Sequence, residues 1–160
     1  MPRHSETRKL PYTAEQMFGL VADVGRYPEF LPWVVATRIR SDSETEMLAD
    51  MIVGFKSLRE TFTSKVQKAR PERIAVDYID GPLKFLHNEW VFTPTETGCE
   101  LGFTVDFAFK NRVFESLAGQ FFDKALRKMT SAFEARANEL YGNSSTRASG
   151  ISSSSAQSVA

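Results

Sequence analysis

The sequence has little of the residue types that build covalent or metal-based chemistry. Its 160 residues include one cysteine, Cys99, and two histidines, His4 and His87. A single cysteine excludes an internal disulfide and a multi-cysteine metal site, and it fits a reducing compartment. The two isolated histidines match no standard metal-ligand spacing. We therefore expect neither a resident metal nor a disulfide framework.

Long apolar runs and an excess of either charge are also missing. No stretch approaches the ~20 apolar residues of a membrane-spanning helix, and the charged N-terminus leads into no apolar segment of signal-peptide length. Basic and acidic residues number 20 each, so the formal net charge is zero and gives no overall attraction to nucleic-acid phosphates. We expect a soluble, cytoplasmic protein with no DNA partner, whose contact with the inner membrane would be peripheral.

Catalytic signatures are absent as well. The sequence holds no G-x-S-x-G nucleophile elbow and no phosphate-binding glycine loop. No set of nucleophile, base and orienting residue stands out along the chain. The sequence therefore favours a binding protein over an enzyme, with no catalytic residue assigned.

Phenylalanine is what the sequence has in abundance, with 13 residues against four tyrosines and two tryptophans. Because phenylalanine carries no polar group, this content favours a core or an apolar cavity over base stacking. The length suits one domain. Residues 143–160 are serine-rich, with few apolar groups and no period, so we predict a domain over 1–142 and a disordered tail over 143–160.

Two apolar faces follow each other near the C-terminus. From Cys99 to Phe109 the residues alternate between apolar and polar, as in a strand with one buried side. After Asn111, a good N-cap, apolar residues recur every three or four positions up to Leu140, which predicts a helix of about eight turns. In the simplest arrangement, the apolar face of the strand and the apolar face of the helix pack against each other.

The rest of the chain predicts a mainly antiparallel sheet. Residues 3–10 read as an edge strand, Thr13 and Gln16 as the capping box of a short helix, and residues 33–98 as successive strands with short connections. This order predicts an α+β fold in which a curved antiparallel sheet wraps around the long C-terminal helix. An apolar pocket between the sheet and the helix is the expected binding site for a hydrophobic ligand.

The last hairpin has a preferred register. If Phe92 faces Leu101, then Trp90 faces Phe103 and Asn88 faces Val105. A slip of one residue would place Glu89 opposite Phe103 and bury a charge. The preferred register puts Trp90 inside and leaves Asn88 as a buried amide that needs a partner.

Three stretches carry a resemblance to a known family: residues 21–33 with the unusual run Tyr-Pro-Glu-Phe-Leu-Pro-Trp, residues 54–66, and residues 80–92. Over residues 3–142 the chain resembles the helix-grip (START/Bet v 1-like) fold of the polyketide cyclase/dehydratase superfamily. Within it, the chain is similar to the coenzyme Q-binding protein family and its bacterial relatives, some of them described as ribosome-association toxins.

This resemblance implies a polyprenyl quinone (ubiquinone) or a similar lipid, held in an apolar tunnel between sheet and helix as a bound ligand. The protein would serve as a carrier or chaperone supporting respiratory electron transport. The family has no fixed polar signature, so tunnel residues are chosen here by their expected inward faces: Leu31, Trp33, Leu58, Glu60, Phe62, Asn88, Trp90, Phe103, Val105, Phe107, Phe121, Phe122, Ala125 and Met129. We expect residues 103–109 to form the floor of the tunnel and residues 121–129 its lid.

Each candidate also has a purely structural interpretation. The segment Phe30–Trp33 forms either the tunnel mouth or a proline-stiffened corner packed on the core. The apolar stripe of the long helix is explained first by packing in the core, and only second as a wall that contacts a ligand. Glu60 either meets the ligand or pairs with an arginine, and Asn88 is either a head-group contact or a satisfied core amide.

Two other functions stay open. A ribosome-associating regulator would use a basic patch, for which the candidates are Arg38, Arg40, Arg59, Lys65 and Lys68, although such charges are usually a solvated face. A cyclase or dehydratase acting on a polyketide-like substrate would use Glu60 as its acid or base.

Overall fold

The computed structural model describes residues 3–55 and 58–142 of the chain. The elements are the strands β1 (Arg3–Leu10), β2 (Val34–Asp42), β3 (Glu46–Phe55), β4 (Leu58–Ala69), β5 (Arg73–Asp80), β6 (Leu83–Thr95) and β7 (Gly98–Phe109), and the helices α1 (Ala14–Ala22) and α2 (Arg112–Ala137). A 3₁₀ helix (Val24–Glu29) follows α1, and a π turn (Asn138–Gly142) follows α2. The serine-rich segment 143–160, predicted to be disordered, lies outside the described residues.

The seven strands form one antiparallel sheet in the order β1-β7-β6-β5-β4-β3-β2. Strands β2 to β7 pair with their neighbours in sequence because the connections between them are short. The first strand, β1, pairs with the last, β7. The predicted α+β class, with a largely antiparallel sheet and a long C-terminal helix, is confirmed.

Local sequence explains where the helices begin. The Thr13 hydroxyl accepts a hydrogen bond from the Gln16 N–H at 3.0 Å, and the Thr13 N–H donates to the Gln16 side chain at 2.9 Å. Asn111 caps α2, because its Oδ1 accepts from the Phe114 N–H at 2.8 Å. Both caps satisfy backbone donors that a helix start leaves free, as the sequence predicted.

The register of β6 and β7 is the one that keeps Glu89 out of the core. Asn88 pairs with Val105 and Trp90 with Phe103, and the Trp90 and Phe103 rings lie 4.4 Å apart. Glu89 lies on the opposite face, where its carboxylate forms an ion pair with Arg73 at 2.8 Å. The predicted register is confirmed, and it turns Asn88 toward the helix.

The sheet curves around α2. The Phe122 ring on α2 lies 5.7 Å from Phe62 on β4 and 5.3 Å from Phe109 on β7. Three strand spacings separate β4 from β7, which would be about 14 Å in a flat sheet. One side chain reaches both strands only because the sheet bends, and this bend creates the space between α2 and the middle strands.

A polar cluster fixes α2 over β1. Thr130 on α2 is 2% exposed and donates to Glu6 at 2.5 Å, while Arg8 donates to Glu134 at 2.7 Å and to Ser131 at 2.8 Å. Burial acts to raise the pKa of Glu6, but hydrogen bonds from Thr130, His4 and Arg8 outweigh it and lower that pKa. The edge strand and the helix are therefore joined by a charged network beside the apolar core.

Candidate functional site

An apolar cavity of about 160 Å³ lies between α2 and the inner face of the sheet. Strands β3 to β7, α1, the 3₁₀ helix and α2 all contribute to its wall. The lining side chains are Val21, Val24, Tyr27, Trp33, Ala49, Met51, Val53, Phe62, Ser64, Val66, Ile74, Val76, Leu86, Asn88, Trp90, Phe103, Phe121, Phe122, Ala125, Leu126, Met129 and Phe133. A space of this composition suits an apolar ligand.

Most of the predicted tunnel residues meet at this cavity. Its wall includes Trp33, Phe62, Asn88, Trp90, Phe103, Phe121, Phe122, Ala125 and Met129. From the predicted lid over residues 121–129, the side chains in the wall are Phe121, Phe122, Ala125, Leu126 and Met129. Contact of these side chains with a ligand stays a prediction.

Three other candidates lie in the packed core instead of the cavity wall. Leu31 and Val105 are each 1% exposed, and Phe107 is 5% exposed. The reason is the position of α2, which packs directly against β1 and β7, so that Phe107 meets the Phe122 ring at 6.1 Å. Of the expected floor over residues 103–109, only Phe103 reaches the cavity, and the floor is made mainly by β3 to β6.

Glu60 lies beside the cavity and not in its wall. It lines a small separate hollow that shares Val53, Phe62, Phe121 and Phe122 with the main space. Glu60 lies near the start of β4 and faces the first turns of α2, since Phe114 and Ala118 complete the hollow. The side chain of Leu58, the remaining candidate, lies outside the described residues.

The sequence interpretation missed the part of the wall that comes from the middle strands and the N-terminal helices. The missed residues are Ala49, Met51, Val53, Ser64, Val66, Ile74, Val76 and Leu86 from the sheet, Val21, Val24 and Tyr27 from the N-terminal helices, and Phe133 from α2. The alternation along β3 and β5 gives their inward faces. This alternation does not show which strands the helix covers. In the structure α2 covers β7 and leaves the inner faces of β3 and β5 facing the cavity.

Three polar side chains reach the cavity. The Tyr27 hydroxyl donates to the Val21 carbonyl, and burial raises the pKa of Tyr27, so it stays protonated. Ser64 lies on β4 and is partly buried. Asn88 differs from both, because its Oδ1 is buried and accepts no hydrogen bond from any residue that the structure describes. Within that part of the chain, the oxygen of this amide is unsatisfied.

The predicted basic patch is largely neutralised by neighbouring acids. Ion pairs join Lys65 with Glu46 at 3.0 Å, Lys68 with Asp42 at 2.6 Å and Arg40 with Asp50 at 2.9 Å. Asp50 is 7% exposed, and a hydrogen bond from the Thr63 hydroxyl, aided by Arg40, lowers its pKa against the opposing effect of burial. This face of the sheet carries less free positive charge than its sequence suggests.

Residues 3–55 and 58–142 contain no group of three or more His, Cys, Asp or Glu side chains that is placed to hold a metal ion. No helix in them is long and apolar enough to cross a membrane.

Comparison with known families and proteins gives consistent matches. The family described as polyketide cyclase/dehydrase and lipid transport matches residues 10–134. The chain is 38% identical over 142 residues to the ribosome association toxin RatA of Escherichia coli strain K12, covering 88% of this chain and 90% of that protein. It is 33% identical over 144 residues to the mitochondrial coenzyme Q-binding protein COQ10 homolog B of Xenopus laevis, covering 87% of this chain and 59% of that protein.

Solved structures agree on the fold. The solution structure of the 18 kDa protein CC1736 from Caulobacter crescentus is 38% identical, with a TM-score of 0.69 over 89% of this chain and 99% of that one. A START superfamily protein from Mycobacterium smegmatis has a TM-score of 0.73 at 18% identity, over 86% of this chain and 98% of that one. The expected helix-grip, START-like fold is confirmed.

Proposed function

The chain belongs to the polyketide cyclase/dehydrase and lipid transport family, and we propose that it binds a polyprenyl quinone or a similar lipid between sheet and α2. In this role the protein is a binding protein and not an enzyme. The coenzyme Q-binding name of the Xenopus laevis relative supports a quinone as the ligand class. The protein would carry or shelter the lipid in support of respiratory electron transport.

The observation that carries this proposal is the cavity itself. Its wall is apolar except for Tyr27, Ser64, Asn88 and the two indole N–H groups, so a bound hydrocarbon would leave water for an apolar surface. Each buried CH₂ group is worth about 0.8 kcal/mol, so a few isoprenoid units supply useful affinity without any charged contact.

The size of the cavity limits how much of such a lipid fits inside it. An engineered cavity of about 150 Å³ in another protein takes up a benzene molecule, and the cavity here is of similar volume. It therefore holds one ring or a short length of tail. The rest of a long tail would leave past Phe62, Phe121 and Phe122, which separate the main space from the hollow beside Glu60.

Extraction of the purified protein tests this proposal. Protein made in a quinone-producing bacterium is extracted with organic solvent, and the extract is analysed by mass spectrometry. We expect a polyprenyl quinone or another lipid in near-stoichiometric amount, with none from an unrelated protein purified in the same way. If no lipid is recovered and added quinone also fails to bind, the proposal is wrong.

A second candidate function is association with ribosomes. It is favoured by the similarity to RatA over nearly the whole of both proteins. Because the sheet face is largely paired, the exposed lysines Lys124 and Lys128 on α2 are the better cationic contacts. Co-sedimentation with ribosomal subunits tests it: binding that weakens with salt and with a Lys124→Glu, Lys128→Glu double variant supports it, and absence of co-sedimentation at low salt contradicts it.

The cyclase or dehydratase alternative has less support. Glu60 was its only candidate acid or base, and Glu60 lies outside the main cavity wall. A group that acts on a bound ligand must come within hydrogen-bond reach of it.

A further inference from the structure

Asn88 is an isolated polar group in an apolar wall. On β6 it lies between Leu86 and Trp90 on the inward face, and its paired neighbours across the sheet are Val76 and Val105. Its Oδ1 is buried and accepts no hydrogen bond from the described residues. A buried acceptor without a donor is destabilising, and such groups are rare in folded proteins.

No other polar group of the cavity that the structure describes donates to this oxygen. Ser64 is two strands away and displaced along its strand by two residues, which places its Cα roughly 12 Å from that of Asn88. The Tyr27 hydroxyl donates its proton to the Val21 carbonyl, and the indole N–H groups of Trp33 and Trp90 do not donate to Asn88 Oδ1. A donor on a ligand in the cavity would satisfy this oxygen.

We propose that Asn88 Oδ1 accepts a hydrogen bond from a hydroxyl group on the ligand. This inference rests on the proposed function and narrows it: the ligand has an apolar body and a polar end that donates, such as a phenol or a hydroquinone. An asparagine amide also carries two N–H donors, so a carbonyl head can bind. Only a head group that donates a hydrogen bond satisfies Oδ1. The cavity should therefore bind a ligand with a hydroxyl head group more tightly than the same ligand with a carbonyl head group.

Three small probes test this discrimination: 4-octylphenol, its methyl ether 4-octylanisole, and octylbenzene. All share a ring and the same chain, but only the phenol can donate. Binding is measured by quenching or enhancement of the fluorescence of Trp33 and Trp90, the only two tryptophans of the chain, which both line the cavity. We expect the wild-type protein to bind the phenol about tenfold more tightly than the ether, because one hydrogen bond to a buried group is gained.

The matched variant is Asn88→Leu, which has nearly the same shape and no polar atoms. We expect it to bind the phenol and the ether equally, to bind octylbenzene at least as well as wild type, and to melt at the same or a higher temperature. Equal binding of phenol and ether by the wild-type protein overturns the inference while the apolar site survives. A preference for the phenol that persists in the leucine variant also overturns it. If none of the three probes binds, the proposed function itself fails.

Discussion

Asp50 and Asn88 show how one side chain's partners decide its role. Asp50 accepts from Thr63 at 2.7 Å and from Arg40 at 2.9 Å, whereas the buried Oδ1 of Asn88 accepts no hydrogen bond from residues 3–55 and 58–142. Asp50 is thus part of the scaffold and Asn88 is available to a ligand. The sequence predicts the face on which Asn88 lies from the alternation along β6. It cannot predict whether a donor reaches that side chain, because the donor would come from elements distant in sequence.

We predict that Asp50→Asn destabilises the protein by about 1–3 kcal/mol near neutral pH, since hydrogen bonds to a buried charged acceptor are weakened. The pKa of Asp50 is lowered in the folded state. Its contribution to stability is therefore fully present above the unfolded carboxyl pKa of about 3.9, and it is lost as pH falls through the folded-state pKa. Urea unfolding at several pH values measures the difference from wild type, which should shrink toward acid pH.

Asp42→Asn is the control for this prediction. Asp42 also forms an ion pair, in its case with Lys68, but its side chain is 47% exposed, so this ion pair is screened by water. We expect a much smaller change for this variant. Equal destabilisation by the two variants at neutral pH would contradict the scaffold role of Asp50.

At the scale of single elements, the placement of α2 decides where the cavity forms. The helix packs on β1 and β7 and is fixed there by Thr130, Arg8 and Glu134. The caps, the hairpin register and the pairing of β2 to β7 with their neighbours along the chain could be predicted from local patterns, because each depends on residues close in sequence or directly opposite. The pairing of β1 with β7 joins distant parts of the chain and was not predicted. The offset of α2 toward β7 could not, since it depends on polar contacts between residues more than 120 positions apart. For this reason Val105 and Phe107 were expected in the wall and are core.

We predict that Thr130→Val, which keeps the shape of the side chain, destabilises the protein by about 1–2 kcal/mol. The variant leaves the Glu6 carboxylate with one hydrogen bond fewer in a partly buried site. Thr130→Ser retains the hydroxyl and should stay closer to wild type. Thermal unfolding of the three proteins at pH 7 measures the effect, and a valine variant as stable as wild type would show that this contact does not fix the helix.

At the scale of the whole molecule, sheet curvature and helix position together produce an apolar space whose wall carries the unsatisfied Asn88 acceptor, as far as the described residues show. Most of the predicted site meets there, because the inward faces of β6 and α2 are readable from periodicity alone. The contributions of β3 and β5, and those of Ser64 and Val66 on β4, were missed because the sequence does not say which strands the helix leaves uncovered. The central claim is that this space is a binding site for a ligand and not merely a packing defect in the core.

Titration with a decyl-substituted benzoquinone, followed through the fluorescence of Trp33 and Trp90, tests that claim most directly. The matched variants are Ala125→Phe, which fills the cavity from α2, and Ala135→Phe, which adds the same ring at an exposed position of the same helix. We predict saturable quenching in the wild-type protein and in Ala135→Phe, with affinity at least about tenfold weaker in Ala125→Phe because the ring occupies the ligand's space. Unsaturable quenching in the wild-type protein, or equal affinity in all three, would contradict the account.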